Sequence, residues 1–322
     1  MPGLVFVVRF RLDGTSEELK IDQPIVEAGD DWLWLHFNLT DPRCVALLKA
    51  RPGLPEPARA LLVAAEEHQQ LEADDHCVYG IFSDLVCSLD GATEDIGFMH
   101  FAMTENVFLT SRRHPLNAVE ATRKALRAGL KIGSPTALLE AIVQQLVNAV
   151  AHHAENLAAH LDTIEERVAA DNVSESRRTL GQVRRTSVRL HRQLVITRSL
   201  MHQFEHQGEL SSWPDLRDCV ERLGQRLAWL DAEIVALRDR AHLLQEETLL
   251  KNAEQTNRNL QVLAIVSTLF LPASLVAAVF GMNFDNIPFG HDRGGFGWAL
   301  ILLVAISGVL FWLLRRLGLF RL

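Results

Sequence analysis

The side chains best suited to chemistry in this chain are its 13 histidines, because a neutral imidazole is a good zinc ligand. His202 and His206 lie four residues apart, a spacing at which two side chains on a helix can hold one ion together. No third ligand follows at a fixed spacing, so a solvated polar helix face is the alternative interpretation. The chain has no glycine-rich phosphate loop, no G-x-S-x-G and no H-E-x-x-H motif, so we do not expect an enzyme.

A second set of polar groups lies beside and within an apolar segment near the C-terminus. The polar band Lys251–Asn259 comes directly before it, and Ser267, Thr268 and Ser274 lie within it. Polar residues at the mouth of an apolar helix and along it are typical of a helix that lines a water-filled path. The alternative is that these hydroxyls bond back to carbonyls of their own helix.

Two apolar runs near the C-terminus predict two transmembrane helices. The first, about 262–280, carries no charge and would span roughly 28 Å as a helix, close to the thickness of the hydrocarbon core of a bilayer. The second, about 296–314, is followed at once by Arg315 and Arg316. Two buried helices of a soluble protein are the alternative, but charge-free runs of this length are long for core helices.

The placement of charges predicts the orientation in the membrane. Basic residues flank both runs on the sides away from the connecting loop 281–295, namely at Lys251, Arg258, Arg315, Arg316 and Arg321. Excess Lys and Arg marks the cytoplasmic side, so we expect a multi-pass protein of the cytoplasmic (inner) membrane with both termini in the cytosol. The formal net charge of −8 argues against a nucleic-acid partner. The four scattered cysteines favour free thiols over disulfides or a zinc site.

The rest of the chain predicts an α+β protein with three regions. Residues 1–133 contain short runs rich in β-branched and aromatic residues, which indicate a cytosolic α/β domain. We expect one helix there at Pro57–Gln70, and the strand order cannot be read. The expected strands begin near residues 4, 32, 77, 97 and 106.

Residues 134–260 predict a cytosolic helical region. Ser134-Pro135 is a typical helix start, a capping residue followed by a first-turn proline. From about residue 214 the chain reads as one long stalk helix that continues to Phe280, roughly 99 Å if unbroken. Its apolar residues repeat at coiled-coil spacing, with leucines at 216, 223, 230, 237 and 244 and with Val220, Leu227, Ile234 and Ala241 between them. Residues 261–322 complete the chain with the two membrane helices.

The end of the first apolar run resembles the CorA superfamily of divalent-cation transporters. The resemblance rests on Pro272 within the run and on Gly281-Met282-Asn283 at its end, and Phe280 stands where tyrosine is commoner. Within the superfamily the loop 286–290, Asn-Ile-Pro-Phe-Gly, is similar to the ZntB zinc-transporter branch and lacks the glutamate usual in magnesium channels. Asp285 and Met282 depart from the zinc pattern, so a magnesium or cobalt channel remains the alternative.

The resemblance implies a homopentamer in membrane lipid, whose first spans line one pore. Gly281, Met282 and Asn283 would form its selectivity filter, where five Asn283 amides meet the ion through its hydration shell. The alternative for these residues is an ordinary helix C-cap. Counting inward from Asn283 predicts a pore stripe of Asn257, Leu260, Leu263, Ser267, Leu271, Ser274 and Ala278.

Two further interpretations follow from the resemblance, and one alternative function stands outside it. Glu246 lies where the magnesium branch carries an acidic metal sensor, although a solvated carboxylate is the alternative. Zn²⁺, with Mg²⁺ as the alternative, is the transported ion, and no cofactor is expected. A membrane-anchored coiled-coil scaffold without transport is the second alternative function.

Overall fold

The computed structural model describes residues 1–21, 31–65, 68–88, 91–170, 176–206, 213–281 and 295–316. These residues form two compact units. The first contains the sheet and the helices up to Leu244, and the second begins at Gln245. The predicted boundaries at 133/134 and 260/261 stay a prediction.

The first unit is built on one seven-stranded sheet. Its strands are β1 Leu4–Phe10, β2 Ser16–Leu19, β3 Trp32–Asn38, β4 Gln70–Ala73, β5 Val78–Ser88, β6 Gly91–Met103 and β7 Val107–Arg112. The spatial order is β2-β1-β3-β7-β6-β5-β4. Only the central β3–β7 pair is parallel, and the other pairs are antiparallel. The α+β prediction is confirmed, while β2 and β4 were not predicted.

Both faces of this sheet are covered, which explains why its strands are apolar on both sides. In β3, Trp32 and Trp34 point to one hydrophobic cluster, whereas Leu33, Leu35 and Phe37 point to the other. The short helices α1 (Pro42–Lys49) and α2 (Glu56–Leu62) cover the second face. The first face packs against the long helices and against α3, Asn117–Arg127.

Helix α2 is shorter than the predicted Pro57–Gln70. It ends at Leu62 because the sheet takes its last carbonyls as hydrogen-bond acceptors. The His100 Nδ1–H donates to the Leu61 oxygen at 2.9 Å, and the Ser111 hydroxyl donates to the Leu62 oxygen at 2.6 Å. Two buried donors are thereby satisfied, which outweighs continuing the helix by another turn.

Three long helices complete the first unit, and the third continues into the second. They are α4 Pro135–Ala169, α5 Ser176–Glu205 and α6 Pro214–Gly281. The predicted start of α4 is confirmed, since the Ser134 hydroxyl oxygen accepts a hydrogen bond from the Ala137 amide. The predicted stalk is also confirmed, because α6 is one continuous helix. All nine residues of its predicted apolar seam are buried, and they join the cluster under the sheet.

The second unit carries the apolar C-terminal segments. By length and composition, α6 is the one helix among the described residues that qualifies to cross a membrane. Helix α7, Gly295–Arg316, corresponds to the predicted second span at about 296–314. It contains the shorter apolar stretch Leu303–Leu313.

Candidate ion pathway

The seven residues of the predicted pore stripe lie on one side of α6, and all are exposed. At about 100° per residue they fall within an arc of about 120° around the helix axis. Val276, which is buried, lies on the opposite side of the helix. The stripe is therefore a continuous face without a covering element among the described residues.

Leucines make this exposed face strongly apolar. Leu260, Leu263 and Leu271 keep 57%, 61% and 68% of their surface exposed. Leaving such side chains in water is unfavourable by roughly 1.5–3 kcal/mol each, relative to burial. The face therefore requires lipid or further protein around it.

Two of the three hydroxyls in this segment, those of Thr268 and Ser274, bond to carbonyls of their own helix. The Thr268 hydroxyl donates to the Ala264 oxygen at 2.7 Å, and the Ser274 hydroxyl donates to the Leu271 oxygen at 2.9 Å. Both therefore bond back to their own helix. Their oxygen lone pairs can still accept a hydrogen bond, so Ser274 can contact water while its donor is satisfied.

Gly281 is the last residue of α6, which is where the predicted filter begins. Met282, Asn283 and the loop that follows lie outside the described residues. The amide ring and the helix C-cap both remain interpretations of the sequence.

The two candidate histidines sit together at the exposed end of α5. The rings of His202 and His206 stack with their centroids 4.6 Å apart, and the His206 Nδ1 donates to the His202 carbonyl oxygen at 2.8 Å. His202 also lines a cleft of about 710 Å³ between α5 and α6. Across the described ranges, no three His, Cys, Asp or Glu side chains converge into a metal site. Glu246 is exposed on α6, in the second unit.

A polar contact holds α5 against α6 within the first unit. Asp231 of α6 is 7% exposed and accepts hydrogen bonds from two residues of α5. The donors are His191 Nδ1 at 2.5 Å and Arg198 at 3.4 Å. Asp231 was not among the predicted site residues, although it directly follows the seam residue Leu230 in the sequence.

A buried polar network between β3 and β7 was not predicted from the sequence. The Thr110 hydroxyl oxygen accepts hydrogen bonds from Trp34 Nε1 at 2.9 Å and His36 Nδ1 at 2.7 Å. Arg112 Nε donates to His36 Nε2 at 2.9 Å, which assigns the proton of the neutral ring to Nδ1. Burial, together with the neighbouring Arg112 charge, holds the pKa of His36 well below its usual range.

Asp84 is the second buried group that was missed. It is 4% exposed, in the middle of β5, and burial raises the pKa of its carboxyl to about 7. An aspartate inside the apolar run Ile81–Val86 was a signal available in the sequence.

Three of the four thiols are unsuited to metal binding. Cys44, Cys77 and Cys219 are buried, and burial raises their pKa to about 11, 12 and 12 respectively. Because the thiolate is the metal-binding form, these cysteines serve as small core side chains.

Comparison with known proteins adds a sequence relationship over most of the chain. A family described as "CorA-like Mg2+ transporter protein" matches residues 29–316. The divalent cation transporter CmaX of Pseudomonas aeruginosa is 27% identical over 292 residues, which cover 89% of this chain and 87% of that protein. The zinc transport protein ZntB of Yersinia enterocolitica is 22% identical over 314 residues, which cover 95% of this chain and 94% of that protein.

Solved structures extend the similarity to the fold. The full-length CmaX structure superposes with a TM-score of 0.81 at 25% identity and covers 98% of both chains. The complete CorA magnesium transporter of Methanocaldococcus jannaschii gives a TM-score of 0.76 at 18% identity, over 97% of this chain and 98% of that one.

Proposed function

The chain belongs to the family of CorA-like Mg2+ transporter proteins, and from this premise we propose that it is a homopentamer that moves zinc through a central pore. Membership makes it a divalent-cation transporter rather than an enzyme. The ion, the number of subunits and the filter are our proposal.

The exposed face of α6 is the observation that carries this proposal. It combines leucines with Asn257, Ser267 and Ser274 on a helix long and apolar enough to span a bilayer. Two helices from one chain cannot enclose a channel, so several copies must contribute one wall each. Small polar side chains between apolar ones offer a water-filled path with narrow collars that close by dewetting.

The proposed filter follows at the end of the same helix. Gly281 lets the chain leave the helical conformation, and Asn283 from each copy then places a carboxamide at the outer mouth. An amide oxygen accepts hydrogen bonds but cannot neutralise a dication. Such a ring therefore suits an ion that keeps its water shell.

Zinc is favoured by the loop sequence and by the relatives named for zinc transport. The Asn-Ile-Pro-Phe-Gly segment lacks the glutamate that the magnesium branch carries there, while Asp285 directly before it keeps one acidic residue in the loop. Magnesium is the second candidate because of the family's description. Glu246, His202 and His206 are secondary metal candidates within this proposal.

The proposed placement is in the cytoplasmic membrane, with both termini in the cytosol and the loop 281–295 outside. The basic residues on both flanks support this orientation. The three-region division at 133/134 and 260/261 belongs to the same proposal.

Uptake into liposomes tests the proposal directly. The full chain, reconstituted with a metal-sensitive dye inside, should admit Zn²⁺ faster than Mg²⁺, and Asn283→Ala should reduce the uptake at least tenfold. Asn259→Ala is the matched control, because this exposed amide lies on α6 outside the predicted stripe. Equal uptake by wild type and Asn283→Ala would refute the filter, and faster Mg²⁺ uptake would refute the zinc assignment. No metal uptake by the wild type would leave the scaffold alternative.

A further inference from the structure

Helix α3 begins without a capping side chain of its own. Its N-cap residue is Leu116, which cannot accept a hydrogen bond through its side chain. Asp84 of β5 supplies the missing acceptor from elsewhere in the chain. Its Oδ2 accepts from the Ala118 amide at 2.7 Å, while its Oδ1 accepts from the Leu85 amide at 2.7 Å. The carboxylate thus connects the sheet to the first turn of α3.

Asp84 also lines a small cavity between the sheet and the long helices α4 and α5. This cavity has a volume of about 20 Å³, enough for one water molecule. Its walls are mostly apolar, and its polar groups are Ser83, Asp84, Gln193 and Thr197. Gln193 and Thr197 belong to α5, so the cavity places Asp84 between α3 and α5.

No neighbouring charge compensates Asp84 among the described residues. Helix α4 presents Leu146 and Val150 to the cavity, and α5 presents apolar residues beside Gln193 and Thr197. On β6, Gly97 is its partner across the strand pair, and His114 lies near that glycine. Helix α3 contributes only the Ala118 amide to the carboxyl group itself. Burial therefore raises the pKa of Asp84, and only the two amide hydrogen bonds act to lower it, without help from a cation.

We propose that Asp84 is a proton-binding site that couples the start of α3, and the packing of β5 against α5, to the surrounding pH. In the ionised form both oxygens accept amide hydrogens, and the negative charge lies at the positive end of α3. Taking up one proton removes that charge and turns one oxygen into a donor. The acid proton then needs an acceptor, which a water in the cavity provides, and the bond to Ala118 weakens.

The site is connected to the stalk through the first unit. Thr197 and Gln193 both bond to Gln69, so this part of α5 is already tied to the chain just before β4. One turn away, Asp231 of α6 binds His191 and Arg198 of α5. A change at Asp84 can thus reach α6 by way of α5. This inference does not depend on zinc being the transported ion.

The pKa of Asp84 agrees with a proton-binding role at this site. Burial raises the pKa of Asp84 to about 7, so the group changes charge near neutral pH. The ordinary pKa of an unfolded aspartate is about 3.9. Between these two values the folded protein binds one proton more than the unfolded chain, so this group's contribution to stability falls as the pH rises through that window.

Infrared difference spectroscopy of the full chain in detergent, with ¹³C-labelled aspartate, tests the proposal. Wild type should show an aspartic acid carbonyl band that grows from pH ~8 to pH ~6 with a midpoint near the pKa of about 7. The band should be absent from Asp84→Asn and unchanged in Asp239→Asn, whose carboxylate is exposed. A wild type without such a band would overturn the proposal even if the variant does not fold.

Hydrogen exchange tests the structural consequence in the same preparation. After correction for the intrinsic pH dependence of exchange, peptides from the start of α3 should lose several-fold protection at pH ~6 relative to pH ~8. In Asp84→Asn this pH difference should vanish. A wild-type pH difference that persists in Asp84→Asn would show that another group responds.

Discussion

Replacing Thr110 by valine tests the buried polar network between β3 and β7. Valine has the shape of threonine but no hydroxyl, so Trp34 Nε1 and His36 Nδ1 would both lose their hydrogen-bond acceptor. All three residues are fully buried, so water cannot replace it. At about 1–3 kcal/mol for each orphaned donor, we expect a loss of about 4 kcal/mol in the free energy of unfolding.

Two control variants separate the hydroxyl from the packing. Thr110→Ser keeps the acceptor and removes one methyl group, so it should cost only about 1 kcal/mol. Thr122→Val also removes a buried hydroxyl, but that hydroxyl only donates to the Ala118 oxygen of its own helix. No donor is orphaned there, and the cost should stay below about 1 kcal/mol.

Unfolding of the full chain in detergent, followed by tryptophan fluorescence, measures these differences because Trp34 lies in the network. The expected order of destabilisation is Thr110→Val, then Thr110→Ser, with Thr122→Val least or equal to it. If Thr110→Val is no less stable than Thr110→Ser, the hydroxyl is not the shared acceptor for the buried Trp34 and His36 donors.

Two further substitutions probe α6. Leu230→Ala should lower the free energy of unfolding by about 2–5 kcal/mol, because Leu230 is fully buried in the seam. Its neighbour Trp229 is 64% exposed, so Trp229→Ala should lower the free energy of unfolding of the monomer far less. Equal losses in chemical denaturation of the two variants would contradict the assignment of Leu230 to the buried seam. Leu271→Ser should raise metal uptake into liposomes several-fold by wetting a proposed collar. Val266→Ser, an exposed position off the stripe, should leave uptake near the wild-type rate, and the reverse pattern would place the pore on another face of α6.

Local sequence patterns were sufficient for the elements whose own residues dictate them. Ser134-Pro135 marked the start of α4, because a capping hydroxyl and a fixed proline φ act within one turn. The seven-residue repeat from Leu216 to Leu244 marked the buried side of α6, because helical geometry alone decides which side chains share a face. The family resemblance likewise rested on a contiguous motif and on the order of the segments.

Elements stabilised by distant partners were not readable. Strand β2 is only four residues long and polar, and it exists through its pairing with β1. Helix α2 ends early because His100 and Ser111 take its carbonyls, and the sheet order follows from pairings that no local pattern encodes.

The sequence by itself determined the class of protein, the long apolar helix and the face that the proposed pore would use, since these depend on composition and on the period of one helix. Only the tertiary structure decided which polar groups are buried and what they bind. Asp84 binds the Ala118 amide, Thr110 binds Trp34 and Asp231 binds Arg198, and each of these partners lies on another element, 34, 76 and 33 residues away along the chain. Their protonation and hydrogen bonding depend on surroundings that arise only when those elements pack together.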